Sequence, residues 1–281
     1  MKWTVLSEDS GVRLLSFVRK HAPAIFSTKD LRFAIEHHKC SLNKKVERFC
    51  SKKLQKGDVV EITLEHKPVF TFDPTRLLYE DDSFLVYDKP PQISSPDLAS
   101  LLKLLLVHRL DRDTTGVLLL AKQKSMQKGL EELFRARTIE KSYVAIVTGR
   151  LPTPKGVIEK PIGKLSEREG EGLWGIVPPP RGAAAKTFWE VESTSSHFSY
   201  VRCKPVTGRT HQIRVHLSHL GCPIVGDLRY GKREAPLSFR PLLHASTLAF
   251  EHPLTKEKMF FEAPLPEDFQ HFAVEKFLKR S

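Results

Sequence analysis

The sequence predicts an α+β protein whose sheet is largely antiparallel. Two observations carry that class. Apolar runs of strand length outnumber the segments with helical periodicity, and the helical segments fall among them without a strict β-α-β alternation. A third observation sets the layout. At about 100–200 residues per domain, 281 residues suffice for two domains of unequal size. The boundaries predicted are 1–70 for a small first domain, 71–76 for a linker between Pro68 and Pro74, and 77–281 for a larger second domain.

In the first domain, Arg13 to Lys20 reads as a short helix stopped near Pro23. Ser27 supplies a hydroxyl cap with Asp30 three residues on, and Leu31, Ala34 and Ile35 then make one apolar helical face. Lys29, Arg32 and Lys39 lie off that stripe, facing solvent or a ligand. Ser41 to Lys45 is a turn, and Gly57 turns the chain into a strand over Val59 to Ile62. In the second domain, Phe84–Tyr87 is a strand ended by Lys89-Pro90-Pro91, and Val117–Ala121 is a buried strand. Met126, Leu130, Leu133 and Phe134 form a helical face. Tyr143–Val147 is a strand closed by Gly149, and Lys186–Val191 with Phe198–Lys204 is a strand pair. Thr210–Leu220 is a helix stopped by Gly221 with Pro223 beyond. Leu248–Phe250 and Met259–Phe261 make a last strand pair.

The chain carries 45 Lys and Arg against 33 Asp and Glu, a net charge of +12. Residues 1–70 hold 14 of those cations and 8 of the acids, so a quarter of the chain supplies half of the excess. Such a surplus attracts polyanions, nucleic acid first among them; a merely basic soluble protein is the plainer alternative. No run approaches the roughly 18 apolar residues of a membrane span, and Leu101 to Val107 is interrupted by Lys103. The first nine residues hold no apolar signal core, so the chain is expected in the cytoplasm. Cys40, Cys50, Cys203 and Cys222 form no C-x-x-C pair, and no H-E-x-x-H or glycine-rich phosphate loop occurs. No metal and no nucleotide cofactor is therefore expected.

Two polar clusters remain. Val107 to Gly116 packs Asp111, Asp113, Arg109, Arg112, His108 and two hydroxyls directly before a buried strand. An acid at the edge of a core is held near neighbours that set its ionisation; the bland alternative is a solvated, salt-bridged turn. Lys204 to Arg214 leads through Gly208 into a helix whose first turns crowd Arg209, His211 and Arg214. Cations at a helix N-terminus oppose the macrodipole and call for an anion, either a carboxylate of the chain or a phosphate.

The segment His108-Arg109-Leu110-Asp111-Arg112-Asp113-Thr114-Thr115-Gly116 resembles the signature of the RluA-type pseudouridine synthases. Gly208 to Leu217, Lys141-Ser142-Tyr143-Val144-Ala145, Gly226 to Gly231, Leu243-His244-Ala245 and His252-Pro253 are similar to further motifs of that family, in the same order. Residues 11 to about 64 resemble the S-four RNA-binding domain, named for a small-subunit ribosomal protein. The chain departs from the family at Thr115, where a serine is usual. It departs again before the signature, where Ile93-Ser94-Ser95-Pro96 stands in an unusually short connection. The resemblance implies a small α/β RNA-binding domain followed by a synthase domain whose mixed, largely antiparallel sheet is flanked by helices.

It also implies the chemistry. The N1–C1′ bond of a uridine is broken, the base is turned, and the bond is remade through C5, on a nucleotide extruded from its stack. Asp111 is implied as the catalytic carboxylate, attacking C1′, adding to the base or removing a sugar proton. Arg214 is implied as its ion-pair partner. Tyr143 is implied to contact the flipped base and to assist proton removal at C5; as bare residues, an aromatic on a core strand reads equally well. Arg109 fills the gap left by the base, and Arg209 contacts phosphate or serves the fold. His108, His211, Asp227 and Tyr230 are implied as supporting residues, and Asp113 as a turn residue. Lys29, Arg32, Lys39, Lys44 and Lys45 are the candidates for backbone contacts, which position RNA without reading bases. The implied partner is large-subunit ribosomal RNA, with transfer RNA as the alternative, and the implied state is a monomer away from membranes. A non-catalytic RNA-binding or ribosome-assembly factor has no need of Asp111, Tyr143 and Arg214 together. A glycoside hydrolase would need a second carboxylate that Asp113, so close in sequence, does not supply.

Overall fold

A computed structural model describes residues 1–36, 39–64, 70–166, 172–231 and 237–278. The chain divides into two compact units, 1–69 and 70 onward.

The first unit holds β1 (Lys2–Thr4), α1 (Leu14–His21), α2 (Thr28–Glu36), β2 (Cys40–Leu42), β3 (Lys45–Val46) and β4 (Val59–Ile62). The strands form an antiparallel sheet in the order β1-β4-β2-β3. The α2 start follows from local chemistry: the Ser27 amide and hydroxyl donate to Asp30, and the Asp30 amide donates back to Ser27 Oγ. The apolar stripe then closes a core of Leu14, Phe17, Val18, Leu31, Ile35, Val60 and Ile62. The turn expected over 41–45 is a two-residue hairpin. Asn43 and Lys44 both take positive φ, matching the strand twist, and Asn43 is further tied to Val59 and Asp58.

The second unit holds β5 (Leu77–Glu80), β6 (Phe84–Lys89), α3 (Ser95–Leu102), β7 (Leu105–Leu106), β8 (Thr115–Ala121), α4 (Lys124–Ala136) and β9 (Glu140–Thr148). There follow β10 (Lys155–Glu159), β11 (Ile162–Ser166), β12 (Leu173–Ile176), β13 (Lys186–Thr194), β14 (Phe198–Pro205), α5 (Gln212–His219), β15 (Leu243–Glu251), β16 (Lys258–Glu262) and α6 (Glu267–Ala273). Ten strands make one sheet, β10-β13-β14-β9-β15-β8-β6-β5, with β16 on β15 and β7 on β8. Among the described residues β15 with β8 is parallel and the other pairings are antiparallel. The predicted α+β class with a largely antiparallel sheet therefore holds. All seven residues of β8 are buried, as the apolar run Val117–Ala121 requires, and the Thr115 hydroxyl at its start is paired with His244 Nδ1 at 2.9 Å.

Three features differ from the sequence reading. Residues 72–76, read as linker, belong to the second unit: Phe72 packs on Tyr87, the Asp73 amide and carbonyl bond the Tyr87 hydroxyl, and Arg76 pairs with Asp88 at 2.8 Å. Helices α3 and α6 and strands β1 to β3, β5, β7 and β10 to β12 are additions to the elements read from sequence. The helix read over 210–220 is shorter, because His211 sits in the left-handed region (φ 56°) and α5 begins at Gln212. No helix among the described residues is long and apolar enough to cross a membrane.

Candidate active site

Asp111 lies on the loop between β7 and β8, and the loop is fixed from beneath. Leu110 is buried, and the Ser95 hydroxyl at the start of α3 brackets it, accepting from its amide and donating to its carbonyl. Lys89, fully buried at the end of β6, donates from Nζ to the carbonyls of Pro90, Ile93 and Arg112 at 2.8–2.9 Å. Burial pulls this ammonium down to about 7, against the nearby Asp113 and Asp111 carboxylates that favour its charge. Arg240, 1% exposed, is gripped through Nε and Nη2 by Asp268 of α6 and donates to the Asp113 carbonyl at 3.3 Å. Gly116 then enters β8 at φ 108°, and a Cβ there would stand 2.1 Å from the Ala245 carbonyl oxygen. The backbone on the C-terminal side of Asp111 is thus clamped at three consecutive points: the Arg112 carbonyl, the Asp113 carbonyl and the Thr114 amide, which donates to the Asp111 carbonyl.

Arg214 approaches from α5. Gln212 sets that helix in place, donating to the Lys186 carbonyl and Thr187 Oγ1 and accepting from Thr207 Oγ1 and the Arg209 amide. Within the first turn, the Arg214 guanidinium donates from Nη1 to Asp111 Oδ2 at 3.2 Å. It donates from Nε and Nη2 to the two oxygens of Asp227 at 2.8 and 3.0 Å. Asp227 is itself held by the amides of Arg229 and Tyr230. The anion that the basic helix start demands is therefore a pair of carboxylates. The Asp227 pair raises the Arg214 pKa above its usual range against the cost of burial. The Tyr230 ring lies under the guanidinium at 5.1 Å, and its hydroxyl meets His211 Nδ1 at 2.7 Å. His211 Nε2 is 4.0 Å from Asp111 Oδ2.

Tyr143 stands on β9 level with Ala245 of β15 and Cys203 of β14. It packs against two apolar clusters, one that includes Leu110 and Ala245 and one that includes Ala145, Cys203 and Ile213. Burial, then the Asp111 charge, raises its phenol above the ordinary tyrosine range, so the ring stays neutral. Asp111, Arg214 and Tyr143, distant in sequence, come together: Arg214 bonds Asp111 at 3.2 Å, and the Asp111 charge acts on the Tyr143 phenol. His108 is on the same loop but faces inward. Its Nε2 accepts from the Leu119 amide at 3.0 Å, its ring stacks on Phe134, and burial holds it neutral with a pKa of about 3.

The cations assigned to RNA are distributed. Arg109 is exposed beside Asp111; Arg209 is exposed, with Nε on the Ala184 carbonyl. In the first unit Arg32, Lys44 and Lys45 are exposed and Lys39 is half-buried, while the Lys29 side chain lies outside the described residues. Sequence reasoning missed Lys89 and Arg240, and it gave Asp227 only a supporting place. Asp227 was findable as a carboxylate inside a recognised segment. Arg240 had no local signal for this role, since Asp268 and the Asp113 carbonyl, which tie it to the loop, lie 28 and 127 residues away.

Similarity to known proteins agrees with this geometry. Residues 83–219 match the model of the RNA pseudouridylate synthase family. The chain is 39% identical to the ribosomal large subunit pseudouridine synthase C of Yersinia pestis, over 69% of this chain and 67% of that protein. It is 36% identical to the protein of the same name from Haemophilus ducreyi, over 76% of each. The solved structure of human RNA pseudouridylate synthase domain containing 4 superposes with a TM-score of 0.60 at 32% identity, over 71% of this chain and 92% of that one. With the signature loop, the helix and the tyrosine strand converging on one site, the chain belongs to the RNA pseudouridylate synthase family, as an RluA-type isomerase that converts uridine in RNA to pseudouridine.

Proposed function

We propose that this chain modifies uridines of large-subunit ribosomal RNA, with Asp111 as its catalytic carboxylate. The observation that carries the reading is the Asp111–Arg214–Asp227 arrangement beside a neutral Tyr143. A carboxylate about one quarter exposed is fixed at one oxygen by an arginine that a second, fully buried carboxylate anchors. A nucleotide must leave its stack to reach it. Asp111 then acts on the extruded uridine at the ribose or the base, while Arg214 holds its orientation through each charge change. Tyr143 lies against the base and, kept protonated by burial, assists proton movement at C5. Arg109 takes the gap left in the RNA, and Arg209 meets phosphate. The first unit serves as an S-four-like RNA-binding domain, with Lys29, Arg32, Lys39, Lys44 and Lys45 on the backbone. The protein acts in the cytoplasm as a monomer. The names of the bacterial relatives support the ribosomal target, and the excess charge of residues 1–70 supports the binding role. The experiment is pseudouridine mapping of total RNA from cells with and without the gene. Loss confined to large-subunit sites is expected; loss confined to transfer RNA would overturn the ribosomal reading.

A further inference from the structure

The strand beside the site carries a cation that the reaction groups leave unused. Lys141 precedes Tyr143 by two residues on β9, so both side chains leave the same face of the strand, about 6–7 Å apart along it. Its ammonium stands 5.7 Å from the centroid of the Phe134 ring, which stacks on His108 at 4.7 Å. The side chain is half-buried, yet among the described residues no acid pairs with it and no acceptor takes its protons. The other buried cations differ. Lys89 has three carbonyls, Arg214 has Asp227 and Asp111, and Arg240 has Asp268. Leaving an ammonium short of water without an anion is costly, and burial lowers the Lys141 pKa accordingly.

The strand register locates this cation. Gly116 of β8 is level with Ala245, and Ala245 with Tyr143; Lys141 is level with Leu248, farther along β15. His108 accepts from Leu119, three residues into β8 from Gly116, and Leu110 packs with Tyr143 and Ala245. The segment 108–111 therefore runs over the sheet from the Lys141 end to the Tyr143 end. Asp111 comes at its close, and exposed Arg109 stands between.

We propose that Lys141 is a phosphate-binding residue, its ammonium taking a backbone phosphate next to the nucleotide that lies on Tyr143. The assignment rests on the reading of this site as the RNA site. A phosphate offers the anion that the chain itself withholds, and Arg109 on the rim adds a second cation to the same stretch of backbone.

The test compares the full-length parent with Lys141→Met and Lys141→Arg. Methionine keeps an unbranched stem against Phe134 and removes the charge. Binding to a stem-loop RNA with a uridine-only loop is measured from low to high salt by anisotropy. Single-turnover conversion is measured on an unmodified large-subunit ribosomal RNA transcript at saturating enzyme. For Lys141→Met the slope of log affinity against log salt is expected to fall by about 0.7, the value for one single-strand phosphate. Low-salt affinity is expected to drop severalfold, the saturating rate to stay within about twofold, and Lys141→Arg to restore both slope and affinity. An unchanged slope in Lys141→Met would overturn the proposal and leave Lys141 as packing for Phe134. A collapsed rate with unchanged affinity would overturn it too, by placing Lys141 in the chemistry. If the parent binds the stem-loop but leaves the transcript unmodified, the ribosomal target fails, while the salt slope still decides Lys141.

Discussion

Asp111 and Arg214 form an ion pair that one atom's change can interrogate. Asp111→Asn is nearly isosteric, so packing survives while the carboxylate is lost. Isomerisation is expected to fall below detection with RNA binding nearly unchanged, as read by pseudouridine mapping and filter binding on the same preparation. Arg214→Lys keeps the charge but not the planar fork that now reaches two carboxylates through three bonds. Turnover should drop by about 10²-fold or more, and a rate near the parent's would show that the pairing with Asp111 is dispensable. Asp227→Asn strips the buried anchor of its charge. It should cost about 3 kcal/mol of stability in urea unfolding as well as turnover, since the guanidinium is left with Asp111 alone. Asp111 and Arg214 were legible because each stands in a dense polar segment. Asp227 was legible as a residue but not as an anchor, because nothing in a single sequence says that it lies under Arg214.

The elements that carry these residues show where local chemistry suffices. The Ser27–Asp30 exchange, the apolar run Val117–Ala121 of β8 and the glycine stop after α5 are written in neighbouring residues. Helix α3 is also written locally, with Ser94 as cap, Pro96 in the first turn and Asp97 returning to the Ser94 hydroxyl. The apolar run Leu101 to Val107 masks it, because that run spans the end of α3 and all of β7 and so carries neither period cleanly. The short connection before the signature is occupied by this helix start, and Ser95 there brackets Leu110. Gly116 marks a tight join between the signature loop and β8. Gly116→Ala would need its methyl within 2.1 Å of the Ala245 carbonyl oxygen at φ 108°, so the parallel β8–β15 pairing must open. A loss of about 2–3 kcal/mol in urea unfolding is expected, with turnover falling further than RNA affinity; wild-type stability would mean that the pairing yields cheaply.

The whole molecule adds two expectations. Removing residues 1–69 should leave the second unit folded, since its apolar clusters are drawn from its own strands and helices. It should also flatten the salt dependence of RNA binding, by about 0.7 to 0.9 in slope for each phosphate that the first unit neutralises. An equal slope with and without the first unit would remove it as the electrostatic handle. Stability should also fall in acid through the buried histidines, offset only in part by the Asp88 carboxyl, which burial pushes up to about 6. His108 and His244 are buried neutral, their pKa values lowered to about 3 and about 4 by burial, whereas unfolded histidine titrates near 6.5. The unfolded chain therefore binds more protons below pH 6.5. The stability these groups contribute is complete above that pH and is lost as pH drops toward 4 and then 3. Urea midpoints measured from pH 7.5 to 4 test this, and a flat profile would contradict it. By itself the sequence determined the types of the principal elements, because capping and strand alternation act within a dozen residues, and the order of the motifs through which the resemblance implied Asp111, Tyr143 and Arg214 as reacting groups. Only the tertiary structure decided that Arg214 has two carboxylates and Lys141, among the described residues, none, and that Lys89 and Arg240 hold the Asp111 loop from beneath. Those facts depend on which distant segments share a strand register or a buried face, and burial without a partner becomes costly only once the chain has closed around it.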